Sequence, residues 1–237
     1  MVSRFITKYS QIIAANLAPI YVRFPQTAAE IFTTKQRFMQ KFNFPGILAV
    51  IDGTHVVISA LPLAIERAFV NRKGLHSLNV QIVCNSDMVI TNVNARYPGS
   101  FHDAFVYGNR QIYVALENIY RLQPNEWNWL IGDSAYNLSP WLIKVVPNGP
   151  NMTNDERRFN RRVCSVRSII ECVIVGKIVY ACATLHNFLI SRRFNIMHGM
   201  DIDQFNEDDL NLEAPNLNNA NNQMNGIARR NELINYF

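Results

Sequence analysis

Several common signatures are scarce or missing in this 237-residue chain. Its four cysteines, Cys84, Cys164, Cys172 and Cys182, show no CxxC spacing and come with no secretory leader. Neither a zinc ribbon nor a disulfide framework is suggested, and a reducing, intracellular setting is the one expected. No HExxH-like spacing supports a zinc hydrolase built on His55, His102 and nearby acids. No internal repeat is present. The longest apolar run, "VIVGKIVYACATLHNFLI" (173–190), contains Lys177 and His186 and directly follows Glu171, so it reads as a buried core helix and no membrane association is expected. Acidic residues are also scarce where the chain looks folded. Residues 1–193 hold 21 Lys and Arg against 11 Asp and Glu, a balance of +10, whereas residues 194–237 hold 2 against 7, a balance of −5. A basic folded part favours a polyanionic partner, nucleic acid being the commonest, although solvated surface lysines and arginines produce the same balance.

What is present is enough apolar sequence, 49% of residues, to bury a substantial core. Residues 3 to about 40 place Phe5, Ile6, Tyr9, Ile12, Ile13 and Leu17 at helical spacing, and Pro25 breaks the pattern before "TAAEIFTTKQRFMQKF". From Gly46 short Val- and Ile-rich runs follow one another, "GILAVIDG", "VVISA", "SLNVQIVCN" and "MVITNVNARY", separated by turn-like groups such as "NRKGLH" and "NSD". These predict three or four neighbouring strands, mostly antiparallel because the links are too short for crossover helices. "FHDAFVYGNRQIYVALENIY" (101–120) predicts helix, "WNWLIGD" (127–133) a strand buried on both faces, "WLIKVVPNG" (141–149) a last strand, and the stretch from Asn154 to Arg193 helix. The fold class expected is α/β, a mixed sheet flanked by helices with an N-terminal helical segment. The boundaries expected are a helical segment over 1–45, the main domain over 46–193 and a disordered, Asn-rich acidic tail over 194–237.

Three carboxylates stand out by context. Asp52 ends the apolar run "GILAVI" and Asp133 ends "WNWLIG", which places both at the carboxyl edge of buried strands, where open sheets commonly build their sites. Asp52 followed by Gly53 is equally a hairpin signal, and Asp133 with Ser134 equally a helix cap. Glu171 lies in the otherwise core-like "RSIIECVIV". At about 100° per residue, Asn160, Arg167 and Glu171 fall within roughly 40° of one another on a helix, beside the stripe Phe159, Val163, Val166 and Ile170. Arg167 with Glu171 can also be an ordinary i, i+4 ion pair. "PGSFHDAF" sets His102 and Asp103 after a Pro-Gly turn, a helix start or part of a site. "NRKGLH" sets Arg72 and Lys73 at a hairpin tip, a solvated turn or a phosphate contact.

With those residues in view, the chain resembles the PIF/Harbinger transposases and the nuclease-like proteins domesticated from them. The resemblance covers about residues 3–193 and rests on "FPGILAVIDGTHV", "NRKGLHSLNVQIVCN", "YPGSFHDAFVY", "LIGDSAYNLSPWL", "FNRRVCSVRSIIE" and "ACATLHNFLI" in order. It implies a ribonuclease H-like catalytic domain with an acidic triad at Asp52, Asp133 and Glu171, the last two 38 residues apart, and Asp103 as a further metal-site candidate. It implies Mg²⁺ or Mn²⁺, for which hard oxygen ligands are suited, and two-metal hydrolysis of DNA phosphodiester bonds. Arg167, Asn160 and His102 would support the acids, and Arg72 and Lys73 would hold DNA backbone. A nuclear location, with the cytoplasm second, and a partner carrying a Myb-like DNA-binding domain follow from the same resemblance.

Two departures qualify it. After Glu171 the family continues through a basic, aromatic stretch of "FGxLKxRF" character, whereas here "CVIVGKIVYACATLHN" follows directly. The family also carries a helix-turn-helix-like region upstream, of which residues 1–45 are expected to be a remnant. The competing expectation is a catalytically inactive DNA-binding or protein-interaction module, or a truncated transposase remnant, that retains the fold.

Overall fold

The computed structural model describes residue 8 and residues 14–59, 61–108, 111–174 and 220–237. A single helical turn, α1 (Ala18–Tyr21), precedes the longer α2 (Ala28–Phe42). Thr27 starts α2 because its hydroxyl accepts from Glu30 N while the Glu30 carboxylate accepts from Thr27 N, two of the amides that a helix start leaves without partners. Asn43, in the left-handed region at φ 49°, ends it.

The sheet has the order β3-β2-β1-β4-β5, built from β1 (Ile47–Val57), β2 (Ser77–Cys84), β3 (Ile90–Pro98), β4 (Trp129–Ile131) and β5 (Leu142–Ile143). The first three strands are antiparallel, and β4 and β5 add in parallel. This is the mixed sheet that the sequence predicts, and it is consistent with the ribonuclease H-like fold that the resemblance implies. Asn85 closes the β2–β3 turn by accepting from Asp87 N and Val89 N, with Met88 at φ 60°. Between β1 and β2 lies α3 (Leu63–Phe69), a helix the sequence reading leaves unassigned.

Alternate strand residues feed two apolar clusters, as the period of two requires. Val50, Ile82, Cys84, Trp129, Ile131 and Ile143 join one cluster, and Ile51, Val83, Leu130 and Leu142 join the other. The expected 101–120 helix is described as α4 (Asp103–Gly108) and α5 (Gln111–Leu122), with Ile112 and Leu116 packed into the second cluster. The first cluster is covered by α6 (Asn154–Cys172) through Phe159, Val163, Val166, Ile169 and Ile170. A Thr153–Glu156 capping box starts α6. The remainder of the helix predicted up to Arg193 lies outside the described residues beyond Ile174.

One alternative and two expectations need correction. The hairpin alternative for Asp52-Gly53 does not apply, because β1 runs straight through it and pairs with β2 from Val50↔Cys84 to Val57↔Ser77. The strand expected over 141–149 shrinks to two residues, since 144–149 finds no further strand to pair with and is held at Val146, whose N–H and carbonyl both bond Asn160. The tail expected to be disordered forms α7 (Ala220–Tyr236) over its described part. Its apolar residues are few but well placed: Leu233 and Ile234 enter the first cluster, and Gly226 lies so close to Ser139 that a Cβ there would stand 2.8 Å from backbone. Among the described residues no helix is long and apolar enough to cross a membrane.

Candidate active site

Strand lengths place the acids. β4 pairs with β1 only as far as Val50↔Ile131, so Asp52 and Asp133 each stand two residues beyond the last paired position of adjacent parallel strands. Burial along β1 is complete through Ile51 and partial from Asp52 onward. Asp52 shares strand parity with Val50, which faces α6; Gly53 shares parity with Ile51, on the opposite face.

On that opposite face the Asp103 carboxylate lies directly over Gly53, where a Cβ would collide with it. Asn79, buried on β2, fixes it by donating to Asp103 Oδ1 at 2.8 Å and to Phe101 O at 2.9 Å. His102 is exposed and contributes its carbonyl, which accepts from Phe105 N and Val106 N at the start of α4. Asp133 accepts from Ala135 N at 2.9 Å in a short turn, and no helix follows, so the helix-cap alternative does not apply. Lys144 secures that turn by donating to Ser134 O at 3.1 Å and Tyr136 O at 2.5 Å.

Asp52, Asp133 and Asp103 lie near enough to act on one another's charge. Partial burial pushes the Asp52 carboxyl up to about 6; Arg167 and the Gly53 N–H oppose the rise, and Asp133 and Asp103 add to it. Burial also pushes the Tyr136 hydroxyl up, with Asp103, Asp52 and Asp133 acting in the same direction and a hydrogen bond from Gln81 opposing.

Glu171 stands at the margin. It occupies the last turn of α6 with its side chain 58% exposed, and its Oε1 is 3.9 Å from Nη2 of the more buried Arg167. Arg167, rather than Glu171, is the α6 group that acts on Asp52, and its Nε is buried without a partner. Among the described residues no three His, Cys, Asp or Glu side chains are gathered closely enough to hold a metal ion together. Asn160, expected to support the acids, instead clamps Val146 at 2.8 Å through both amide atoms. Arg72 and Lys73 are exposed at a tip closed by the Val70–His76 bridge, where Asn71 Oδ1 accepts from Lys73 N and Leu75 N.

Sequence reasoning missed Asn79, Gln81 and Lys144. The first two had a signal, because Ser77, Asn79 and Gln81 are polar at alternate positions of the otherwise apolar "SLNVQIV" and so share one face. Lys144 had none, since its role depends on where the turn after β4 folds back.

Comparison with known proteins agrees with this arrangement. The DDE superfamily endonuclease family matches residues 51–175, a span that contains Asp52, Asp103, Asp133 and Glu171. The human protein named "Putative nuclease HARBI1" is 31% identical over 207 residues, 77% of this chain and 55% of that protein. The Xenopus laevis protein of the same name is 26% identical over 220 residues, covering 82% and 60%. "Protein ALP1-like" of Arabidopsis thaliana is 24% identical over 189 residues, covering 66% and 46%. The chain thus spans about half the length of the curated relatives it matches. No solved structure matches the chain closely enough to be compared. With the family's span laid over this sheet and these acids, the chain belongs to the DDE superfamily endonucleases and is homologous to the Harbinger-derived nucleases.

Proposed function

We propose that the chain is a metal-dependent DNA endonuclease that hydrolyses phosphodiester bonds with two divalent ions. The observation that carries this reading is that Asp52 and Asp133 stand just beyond the last paired positions of adjacent parallel strands, where partial burial lifts Asp52 to about 6 and the charges of Asp133 and Asp103 add to the rise. Asp52 and Asp133, with Arg167 as the cation acting on Asp52, offer hard-oxygen donors of the chemical kind that suits Mg²⁺ or Mn²⁺, while among the described residues no three acids are gathered closely enough to enclose an ion. Asp52 and Asp133 would hold the ions, with Glu171 and Asp103 as further oxygen ligands. When bound, such ions supply an acidified water and neutralise charge on the leaving oxygen. The chain's own groups prepare that site. Lys144 fixes the turn that carries Asp133, Asn79 fixes Asp103 against Gly53, and Arg167 balances Asp52 while its Nη2 faces Glu171. Arg72 and Lys73 would hold the DNA backbone beyond the site. A nuclear location and a Myb-like DNA-binding partner belong to the same proposal.

The test is nicking of supercoiled DNA by the purified chain in Mn²⁺ beside Asp133→Asn and Asp52→Asn variants. Cleavage lost in both variants supports the reading; absence of cleavage by a folded parent refutes it. A second reading, a DNA-binding or protein-interaction module without catalysis, is favoured by one observation, the exposed Glu171 held apart from the aspartates. It expects salt-dependent DNA affinity without nicking.

A further inference from the structure

The face of β1 and β2 that carries Gly53 and Asn79 also holds a polar chain that the carboxylates do not use. Register sets His55 opposite Asn79 and Val57 opposite Ser77. Ser77 is fully buried, and a Cβ on Gly99 would collide with its hydroxyl, so the side chain is confined. Asn71 Nδ2 donates to Ser77 Oγ at 3.0 Å, and His55 Nδ1 lies 3.1 Å from the same oxygen. The Asn71 amide cannot be turned around, because its Oδ1 already accepts from Lys73 N at 2.9 Å and Leu75 N at 3.2 Å.

This geometry favours one tautomer. Ser77 has one proton to give and already accepts from Asn71; giving it to His55 Nδ1 satisfies a buried donor that would otherwise be stranded at a cost of about 1–3 kcal/mol. His55 is then neutral, with its own proton on Nε2. Burial pushes its pKa below the usual value; Asp103 opposes this, and Arg72 and Lys73 add to it, so neutral imidazole is also the form its surroundings favour. His55 is exposed, and among the described residues no side chain hydrogen-bonds Nε2. Three residues along a strand is about 10 Å, and the odd spacing puts His55 on the face of Gly53 and Asp103 rather than that of Asp52, on the course toward the Arg72–Lys73 tip.

We propose that His55 is a DNA-contacting residue whose Nε2–H donates to a backbone phosphate lying between the carboxylate site and the Arg72–Lys73 tip. The inference rests on the nucleic-acid reading above. A neutral donor suits this position. A cation there would be drawn to Asp103, whereas an imidazole oriented by Ser77 engages a phosphate without neutralising the carboxylates beside it. Asn71 sets both ends of the contact, the conformation of the basic tip and the orientation of the histidine.

The test is fluorescence anisotropy of a labelled DNA duplex bound by the full chain over a range of NaCl, for the parent, His55→Ala, His55→Gln and Arg72→Ala. His55→Ala is expected to weaken binding by about three- to tenfold, the worth of a single neutral hydrogen bond, without changing the slope of log affinity against log salt. Arg72→Ala should reduce that slope by about 0.9, because it removes one phosphate charge contact. His55→Gln, which keeps an N–H donor, should recover most of the loss. Unaltered affinity in His55→Ala, a slope change like that of Arg72→Ala, or no DNA binding by the parent each overturns the contact. Nitrogen-15 NMR of the imidazoles, assigned with His55→Ala, tests the orientation independently: Nε2–H is expected, and a majority of Nδ1–H overturns it. His55-dependent binding without nicking would sink the nuclease reading and leave this one standing.

Discussion

Asp52→Asn tests the cost of holding a carboxylate at this partly buried position. The Asp52 carboxyl rises from an ordinary 3.8 to about 6 in the fold. At 1.36 kcal/mol per pH unit that corresponds to about 3 kcal/mol, which partial exposure and solvent screening reduce to about 1–2 kcal/mol. The sign follows from proton uptake. Between roughly pH 4 and 6 the folded chain binds the Asp52 proton and the unfolded chain does not, so this contribution is fully present below about pH 4 and lost as pH rises through 6. Asparagine keeps an oxygen for the Gly53 N–H, which lies 3.0 Å from Asp52 Oδ1, and carries no charge. In EDTA at pH 7.5 the variant should therefore be more stable than the parent, with Tm higher by about 2–8 °C for a chain of this size. At pH 4 the two should coincide. Added Mg²⁺ should raise the Tm of the parent by binding linkage and reverse the order. Thermal unfolding by circular dichroism at the two pH values measures all of this. A variant less stable than the parent at pH 7.5 in EDTA, or a gap that does not change with pH, refutes the reasoning.

Gly53→Ala should cost about 1–3 kcal/mol by overpacking against the Asp103 carboxylate, and adding Asp103→Ala should recover most of the loss in urea unfolding; a single variant as stable as the parent would contradict the contact. Gly226→Ala, which in an ordinary helix interior gains about 0.5–1 kcal/mol, should instead lower Tm because the new Cβ meets the Ser139 backbone at 2.8–2.9 Å. Thr153→Ala removes one half of the capping box of α6 and should cost about 1 kcal/mol with nicking retained, measured by urea unfolding and plasmid cleavage. Cys84, buried with its thiol pushed up to about 12, should resist a thiol reagent at pH 8 until the chain unfolds, while exposed Cys164 and Cys172 react in the native state; native labelling of Cys84, read by mass spectrometry, would show that the sheet opens.

Much of this architecture was legible in the sequence because strong local signals agreed with the tertiary outcome. The Val- and Ile-rich runs became strands, and the stripe from Phe159 to Ile170 became the buried face of α6. The failures occurred where a local signal competed with a distant partner. Asp52-Gly53 carries a hairpin signal, yet β2 pairs with both sides of it and holds it extended, and Gly53 is required there by Asp103 rather than by a turn. The C-terminal helix reads as polar, low-complexity sequence because it docks through scattered residues, Gly226, Leu233 and Ile234 in the packing and Arg229 by donating to Pro124 O and Glu126 O, once the rest of the fold supplies the surface. Asn160 shared a helical line with Arg167 and Glu171, but spacing on a helix cannot tell which of three residues meets a neighbouring backbone.

The position of the carboxylates follows from unequal strand lengths more than from any motif. β1 spans eleven residues and β4 three, so the parallel half of the sheet ends while the antiparallel half continues. At that step β1 changes from buried to partly exposed, and a carboxylate there is neither fully solvated nor sealed in apolar core. Asp52 occupies the step on β1, Asp133 leaves β4 just beyond it, and Asp103 reaches it from α4 across a glycine. Shortening β1 would solvate Asp52 and return it to an ordinary carboxylate; lengthening β4 would bury it beyond the reach of substrate. The extension from Thr54 to Val57, paired with β2 alone, then leads away from the acids toward His55, Ser77 and the tip that bears Arg72 and Lys73. On the proposed nucleic-acid reading, a strand of DNA following that extension would pass the Asp103 carboxylate first, the neutral donor next and the cations last.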